Sequence, residues 1–269
     1  MPEADRLADQ AGFDLRFEWG PDGLRRLGPG AAAVVIVDVL RFTTAVSVAV
    51  GRGARVLPYP SEADGSPETY AAQHNALLAG SGRNHGGWSL SPTDLQELRA
   101  GTRLVLPSPN GSALAFGARQ HARRAVVLAG CLRNASAVAR WLAATTRAGA
   151  GPVVVVAAGE RWPGDAGTLR PAVEDLLGAG AILRALRVVS GIAVEGISPE
   201  ARAAMAAFDD ARDGLWEWLL ASGSGRELVA WGWRDDVEAA AALDVEAVVP
   251  VLDGAAFVGV TPAPTRHLR

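Results

Sequence analysis

The clearest pattern along the chain is a series of short apolar runs that are rich in β-branched residues. Runs of this kind are typical of strands that are buried on both faces of a parallel sheet. One further run near the N-terminus alternates between apolar and polar positions, which predicts a half-buried edge strand. The buried strands are predicted over residues 33–37, 55–57, 103–106, 125–128 and 153–156, and the edge strand over residues 15–19.

Two more apolar runs near the C-terminus flank Asp253-Gly254, a dipeptide that favours a tight hairpin turn. Helical patterns separate the strands, and proline at the start of a pattern suits the first turn of a helix. Helices are predicted from Asn134, from Pro171, from Pro199 to about Phe208, and over residues 215–220 and 226–229. The alternation predicts an α/β fold of three layers, α/β/α, around a mostly parallel or mixed sheet. We expect a single domain over residues 1–269, in which a C-terminal subregion can begin at about residue 190.

The composition narrows the classes of protein that fit. Acidic residues outnumber basic ones by 29 to 26, whereas a general nucleic-acid binder carries a basic excess. The chain has no lysine, which excludes enzymes that depend on a Schiff-base or P-loop lysine. A single cysteine, Cys131, excludes a disulfide framework. With no signal-peptide pattern and no long apolar run, we expect a cytoplasmic protein that binds neither membrane nor nucleic acid.

The first candidate site lies where the strand at 33–37 ends. Asp38 follows this strand, and Arg41, Thr43 and Thr44 follow at a predicted helix start. Ligands of open α/β sheets bind at the carboxyl ends of the strands, and a helix N-terminus beside an arginine attracts an anion such as phosphate. We therefore predict Asp38 and Arg41 as catalytic residues and Thr43 and Thr44 as substrate-binding residues. The alternative is structural, with Thr43 as a helix cap and Arg41 paired with a surface acid.

A second polar cluster, Ser108 to Ser112, follows the strand at 103–106. Asn110-Gly111 permits a tight turn in which backbone amides can approach an anion closely. Asn110 is a catalytic candidate here, and Ser108, Gly111 and Ser112 are substrate-binding candidates. The alternative is an ordinary turn between a strand and a helix.

A third cluster follows the strand at 125–128. Arg133 is predicted to be a second anion ligand, and Asn134 is a catalytic candidate. The alternative for Asn134 is a helix cap, and Cys131 in the same segment suits a small packed residue.

A fourth group consists of carboxylates. Glu160 follows the strand at 153–156, and Glu174 and Asp175 begin the helix predicted from Pro171. Together with Asp38 they are the hard oxygen ligands that suit Mg²⁺. We therefore predict a Mg²⁺ site among these four acids. The alternative is that the two acids of the helix simply complement its dipole.

These four clusters, in this order, resemble the 2-phosphosulfolactate phosphatase family. The matching segments are residues 37–44, 108–112, 131–136 and 174–182, and the similarity runs from about Phe17 to Asp253. The resemblance implies a Mg²⁺-dependent acid phosphatase that converts (2R)-2-phospho-3-sulfolactate to 3-sulfolactate and phosphate, a step toward coenzyme M. The arginine-only composition is typical of an actinobacterial-type member. The resemblance also places at the site Asp38, Arg41, Asn110, Gly111, Asn134, Glu174 and Asp175.

One loop departs from the family pattern. The family often carries an Asp-Leu-Gly-Asn-Ser-Pro-like loop, of which this chain keeps only Ser89-Leu90-Ser91-Pro92. This loop ends the polar, glycine-rich segment 80–91, which is long enough to be functional.

The sequence leaves three questions open. The nucleophile is either a water molecule activated by the metal or Asp38 itself. The substrate is either phosphosulfolactate or a different small phosphorylated organic acid, and a non-catalytic anion-binding protein with the same fold is the rival hypothesis. A homodimer is compatible with the sequence.

Overall fold

In the part of the chain that the structure describes, the central element is a sheet of nine strands. The computed structural model describes residues 8–59, 65–80, 87–146, 149–162 and 164–261. Residues 81–86 of the predicted functional loop lie outside this part of the chain. The strands are β1 (Leu15–Trp19), β2 (Ala33–Val37), β3 (Arg55–Tyr59), β4 (Leu77–Leu78), β5 (Arg103–Pro107), β6 (Val126–Gly130), β7 (Val153–Ala157), β10 (Val249–Asp253) and β11 (Ala256–Val260). A separate antiparallel hairpin consists of β8 (Glu160–Trp162) and β9 (Asp165–Arg170).

The sheet is mixed, as the sequence predicts. From edge to edge the order is β1-β7-β2-β6-β10-β11-β3-β5-β4. Strands β1, β7, β2 and β6 are parallel, and so are β3, β5 and β4. The antiparallel hairpin of β10 and β11 lies between these two sets, and its turn is at Gly254, as predicted. The predicted strands are confirmed, including β1 at an edge, whereas β4 and the β8–β9 hairpin were not predicted.

Helices cover both faces of the sheet and confirm the three-layer prediction. The predicted helices correspond to Ala135–Thr145, Val173–Ser190, Pro199–Ala211, Leu215–Ala221 and Gly223–Ala230, and the second of these ends at Gly191 in the left-handed conformation, with φ of 69°. The helices are α1 (Gly20–Leu27), α2 (Phe42–Gly51), α3 (Pro67–Gln73), α4 (Gly111–His121), α5 (Ala135–Thr145), α6 (Val173–Ser190), α7 (Pro199–Ala211), α8 (Leu215–Ala221), α9 (Gly223–Ala230) and α10 (Arg234–Ala241).

Alternate residues of β2 contribute to two different cores, because successive side chains of a strand point to opposite faces. Val35 and Val37 pack with α5, α6 and α7, whereas Val34 and Ile36 pack with α1, α2 and α4. Helix α2 is buried on all sides except at its last residue, as expected for a helix that is apolar around its whole circumference.

The sheet curls around α2, which contacts β3, β6, β10 and β11. The clearest sign is a hydrogen bond of 2.8 Å from the N–H of Gly111, after β5, to the carboxylate of Asp38, after β2. Four strands separate β2 from β5 in the sheet, so a flat sheet would hold these residues far apart. Strands β7, β2 and β6 are adjacent in the sheet, whereas β5 reaches the site from across the curled sheet.

The C-terminal part of the chain contributes to the same sheet. After Ser190 the chain forms α7, α8, α9 and α10, and it then returns to the sheet centre as β10 and β11. The division into a single domain with a subregion from about residue 190 stays a prediction. Among the described helices, none combines the length and apolar character that a membrane crossing requires.

Candidate active site

Asp38 lies at the centre of the candidate site and is almost completely buried. Its Oδ1 accepts the N–H of Phe42 at 3.1 Å, and its Oδ2 accepts the N–H of Gly111 at 2.8 Å. The N-termini of α2 and α4 therefore both point at one carboxylate, whose negative charge complements their dipoles. Only glycine fits at position 111, because a Cβ there would lie 2.6 Å from Asp38 Oδ2 and would overlap the ring of Phe42.

The same arrangement gives three of the substrate-binding candidates contacts within the protein. The N–H of Gly111 is already used by Asp38, and the N–H and hydroxyl of Thr43 both donate to the backbone oxygen of Asp38 at 2.8 Å. The hydroxyl of Thr44 donates to the backbone oxygen of Val39 at 2.7 Å. Both threonines are completely buried. The three residues therefore hold the loop that carries Asp38, and the protein's own carboxylate occupies the predicted anion position.

The two serines of the second cluster also hold a loop. The hydroxyl of Ser112 donates to the backbone oxygen of Leu106 at 2.8 Å and accepts the N–H of Tyr59 at 3.3 Å. The hydroxyl of Ser108 accepts the N–H of Asn110 at 3.4 Å. Both side chains are buried, so the structure gives them contacts that shape the turn after β5.

The four predicted metal-binding carboxylates come together. Burial is the main reason that the pKa of Asp38 rises from 3.8 to about 6, and the nearby charge of Glu174 adds to the rise. Burial also raises the pKa of Glu160 from 4.5 to about 7, with contributions from the charges of Asp38 and Glu174. The pKa of Asp175 lies well above its ordinary value for the same reason, with Asp38 and Glu174 again contributing. The cluster is therefore a buried group of acids whose negative charge Arg41, Arg170 and nearby N–H donors only partly compensate.

Asp175 connects the ends of two neighbouring strands. Its Oδ1 accepts the N–H of Val39 at 2.7 Å, and its Oδ2 accepts the N–H of Gly159 at 2.9 Å. The side chain is buried, so both bonds are shielded from water. Asp175 thereby fixes the segments that carry Asp38 and Glu160, in addition to any contact with a cation.

Glu174 has a buried carboxylate oxygen, Oε2, that has no hydrogen-bond partner. An unpaired carboxylate oxygen beside other acids fits a site for a hard cation, because such an oxygen otherwise bears the full cost of desolvation. Within the part of the chain that the structure describes, no group of three or more His, Cys, Asp or Glu side chains is placed to hold a metal ion by itself. Mg²⁺ is compatible with that spacing, since it commonly takes one or two carboxylates and keeps several waters.

Asn110 and Glu160 mark an opening at the edge of the cluster. The amide Nδ2 of Asn110 donates to Glu160 Oε2 at 2.9 Å. A cleft of about 90 Å³ lies beside them, between the turn after β5 and the β8–β9 hairpin. A larger cavity, of about 410 Å³, adjoins the first residues of β1 and β7. The smaller cleft is the better candidate, because it lies at the carboxyl ends of the strands and contains titratable groups.

Arg170 is a cation near Glu160 that the sequence analysis does not name as a candidate. It lies opposite Glu160 in the register of the β8–β9 hairpin, and its charge lowers the pKa of Glu160 against the larger effect of burial. Its Nη2 donates to Ser224 Oγ at 3.3 Å. In the sequence, Arg170 is marked only by its position at the end of an alternating segment before Pro171. It does not follow a buried apolar strand, which is the pattern that indicates the other candidates.

The two candidates of the third cluster, Arg133 and Asn134, also have contacts within the protein. Asn134 is completely buried; its Oδ1 accepts the N–H of Cys131 at 2.9 Å and its Nδ2 donates to the backbone oxygen of Ala129 at 3.2 Å. Arg133 donates to the backbone oxygen of Ala239 at 2.7 Å and forms an ion pair of 3.1 Å with Glu246. Glu246 lies against Gly51, at the opposite end of α2 from Asp38. Asn134 therefore shapes its own turn, and Arg133 stabilises the C-terminal segment away from the acids.

Arg41 does have an acidic partner, but the partner is buried. Its Nη1 lies 2.7 Å from Asp236 Oδ2, and its guanidinium carbon lies 4.5 Å from the centre of the Trp233 ring. Asp236 is completely buried and belongs to α10, at the far end of the sequence. A signal for Asp236 was available, because it shares the buried face of α10 with Val237 and Ala240. An acid on an otherwise apolar face calls for a buried partner.

The fold and the site together define an α/β protein with an acid-rich site: Asp38 and Arg41 follow β2, Asn110 follows β5, and Glu160 follows β7. Comparison with known proteins identifies the class. The model of the family described as 2-phosphosulpholactate phosphatase matches residues 25–255. The chain therefore belongs to the 2-phosphosulfolactate phosphatase family, and its class of enzyme is the phosphoric monoester hydrolases.

Relatives from distant organisms are similar over most of their length. A protein of Methanothermobacter thermautotrophicus named 2-phosphosulfolactate phosphatase is 30% identical over 82% of this chain and 87% of its own. A protein of Gloeobacter violaceus named probable 2-phosphosulfolactate phosphatase is 31% identical over 80% of this chain and 86% of its own length. A protein of Deinococcus radiodurans with the same name is 30% identical over 81% of this chain and 86% of its own length. The resemblance read from the sequence is thereby confirmed at the level of the family.

Proposed function

We propose that the protein is a Mg²⁺-dependent phosphatase that converts (2R)-2-phospho-3-sulfolactate to 3-sulfolactate and inorganic phosphate. The observation that carries this proposal is the buried carboxylate cluster around Asp38, in which Glu174 Oε2 lacks a partner. The names of the relatives support the substrate. A cytoplasmic location, a role toward coenzyme M and a homodimer stay predictions.

The charges explain why a cation belongs to the proposed reaction. The substrate carries a phosphate, a sulfonate and a carboxylate, and the acids of the site would repel it. When bound, Mg²⁺ would neutralise charge on the phosphoryl oxygens and act as a Lewis acid. Glu174, whose Oε2 has no partner, would hold it together with one of Asp38 and Glu160, and Asp175 would fix the segments on either side. Arg41 and Arg170 are the cations of this chain that would bind anionic groups of the substrate.

We propose water, and not Asp38, as the nucleophile. The two backbone N–H groups that contact Asp38 withdraw electron density from both of its oxygens and hold the carboxylate in one orientation. This fixed carboxylate suits a cation ligand better than an attacking group, which must move toward phosphorus. A small alcohol added to the reaction tests the choice: a phosphoenzyme would pass its phosphoryl group to the alcohol at a ratio independent of the leaving group. We expect little transfer, and a trapped phospho-Asp38 peptide would contradict the proposal.

The decisive experiment measures phosphate release from phosphosulfolactate with and without Mg²⁺. We expect activity that EDTA abolishes and that added Mg²⁺ restores. The matched control substrate is 2-phospholactate, which differs only in lacking the sulfonate. Equal rates on the two would indicate a phosphatase for a different small phosphorylated acid, and no release from any phosphoester would indicate a non-catalytic anion-binding protein.

A further inference from the structure

Asp236 is a completely buried acid that connects three distant parts of the chain. Its Oδ2 accepts from Arg41 Nη1 at 2.7 Å, after β2. Its Oδ1 accepts from the hydroxyls of Ser91 at 2.5 Å and Thr93 at 2.8 Å. The carboxylate thus receives one charged and two neutral donors, which is a high degree of saturation for a single side chain.

Contacts with Asp236 and Trp233 fix the long side chain of Arg41 in one place. Asp236 holds one nitrogen of the guanidinium, and the ring of Trp233 lies against it at 4.5 Å. Both contacts come from the same segment, at the start of α10. An arginine that is held before its ligand arrives loses less rotamer freedom on binding than a free one, and its planar fork keeps the correct direction.

We propose that Asp236 is a positioning residue, which holds the Arg41 guanidinium in the orientation that binds the phosphoryl group of a small phosphorylated acid. This inference rests on the proposed function. Asp236 itself does not contact the substrate and acts through Arg41. Through Ser91 and Thr93 it also ties the segment that follows residues 81–86 to the same arginine.

A gain in stability does not by itself explain why the ion pair of Arg41 and Asp236 is buried. Burying an ion pair costs desolvation of both groups, and apolar side chains of similar volume often stabilise a protein equally well. The chain offers a comparison in Arg133 and Glu246, a partly buried ion pair at the other end of α2. Loss of either pair would be expected to lower stability, but only loss of Asp236 would be expected to change how the site binds an anion.

The first test compares Asp236→Asn with the matched control Glu246→Gln. Asparagine keeps the size of the side chain and removes its charge. We expect kcat/KM for the phosphate monoester to fall about 10- to 100-fold in Asp236→Asn, the range expected when a hydrogen bond to a charged group is lost. We expect a change of less than about twofold in Glu246→Gln, because a distant ion pair does not contribute to transition-state binding. Equal kinetics of wild type and Asp236→Asn would overturn the proposal.

The second test separates positioning from a merely structural role. If Asp236 acts through Arg41, then Asp236→Asn has no further effect on kcat/KM in an Arg41→Ala background, whereas independent effects would add. Free guanidinium ion in the buffer should partly restore Arg41→Ala, because Asp236 can hold it, and should not restore the double variant. Additive losses, or equal rescue of both variants, would contradict the proposal. Circular dichroism establishes that each variant is folded before its kinetics are compared.

A binding measurement keeps this inference distinct from the proposed function. If the wild-type protein releases no phosphate from any phosphoester, the proposed function fails. The positioning role is then decided by calorimetric titration of inorganic phosphate into wild type, Arg41→Ala and Asp236→Asn. Weaker binding in both variants supports the role of Asp236. Equal binding in wild type and Asp236→Asn, or no binding to either, overturns it.

Discussion

The buried charge of Asp38 should make the stability of the metal-free protein depend on pH in a specific way. In the folded protein the pKa of Asp38 is about 6, compared with 3.8 for an ordinary aspartate. The folded state therefore binds this proton more tightly than the unfolded chain does, so the contribution of Asp38 to stability is present below pH 3.8 and is lost as the pH rises through 6. The full difference corresponds to about 3 kcal/mol, of which about 2 kcal/mol falls between pH 4.5 and 8.

The assay compares Asp38→Asn with wild type by urea unfolding at several pH values, in a buffer that contains a chelator. Taking the difference between the two proteins cancels the titratable groups that do not interact with Asp38. We expect the variant to gain about 2 kcal/mol relative to wild type between pH 4.5 and 8. The gain should be larger if Glu160 and Asp175 also ionise more easily, since the charge of Asp38 raises the pKa of both.

The fixed effects of the substitution do not disturb this comparison. Asparagine places an amide group near the N–H donors of Phe42 and Gly111, which costs free energy, but that cost is the same at each pH. A constant difference between the two proteins across the range would refute the reasoning, because it would mean that the charge of Asp38 is already compensated. Added Mg²⁺ should flatten the pH dependence of wild type and leave that of the variant unchanged, if Asp38 helps to hold the cation.

Three further substitutions test individual contacts. Arg41→Lys should lower phosphoester turnover tenfold or more, because a lysine cannot keep both the bond to Asp236 and a fork toward the substrate; unchanged kinetics would limit Arg41 to a structural pair. Asp175→Ala should lower the free energy of unfolding by on the order of 1–3 kcal/mol for each of the two buried N–H groups, of Val39 and Gly159, that it leaves unpaired. Urea titration measures this loss, and a loss below about 1 kcal/mol would show that water replaces both bonds. Arg133→Met should lower stability by about 1–3 kcal/mol with KM unchanged, whereas a raised KM would restore its predicted role in substrate binding.

Much of the fold was readable from local patterns. The strands β2, β6 and β7 are continuous apolar runs, and such runs are typical of strands that are covered on both faces. Asp253-Gly254 predicted the hairpin of β10 and β11, because glycine tolerates the positive φ of 58° that the turn requires. The hairpin of β8 and β9 was missed, since it packs outside the main sheet and lacks a continuous apolar run.

The sequence also indicated which residue types form the candidate site, because acids directly after buried strands are rare without a role. Asp38 and Glu160 are candidates because they follow buried strands, and Glu174 and Asp175 because they are adjacent acids at the start of an otherwise apolar helix; the charges of the four acids do act on one another. The same reasoning could not separate a residue that faces the cleft from one that holds a loop. Local spacing is similar in the two cases, and the difference depends on which backbone groups of other segments come near.

Only the tertiary structure decided the partners. Arg41 pairs with Asp236, 195 residues further along the chain, and Asp38 receives the N–H of Gly111, 73 residues away. Both contacts exist because the sheet curls around α2 and because the C-terminal hairpin enters the sheet between β6 and β3. A local sequence pattern indicates which residues of a segment are exposed to water and how the backbone of that segment forms its hydrogen bonds. The order and curvature of the strands come from packing the whole chain at once, so they determine which buried charges meet.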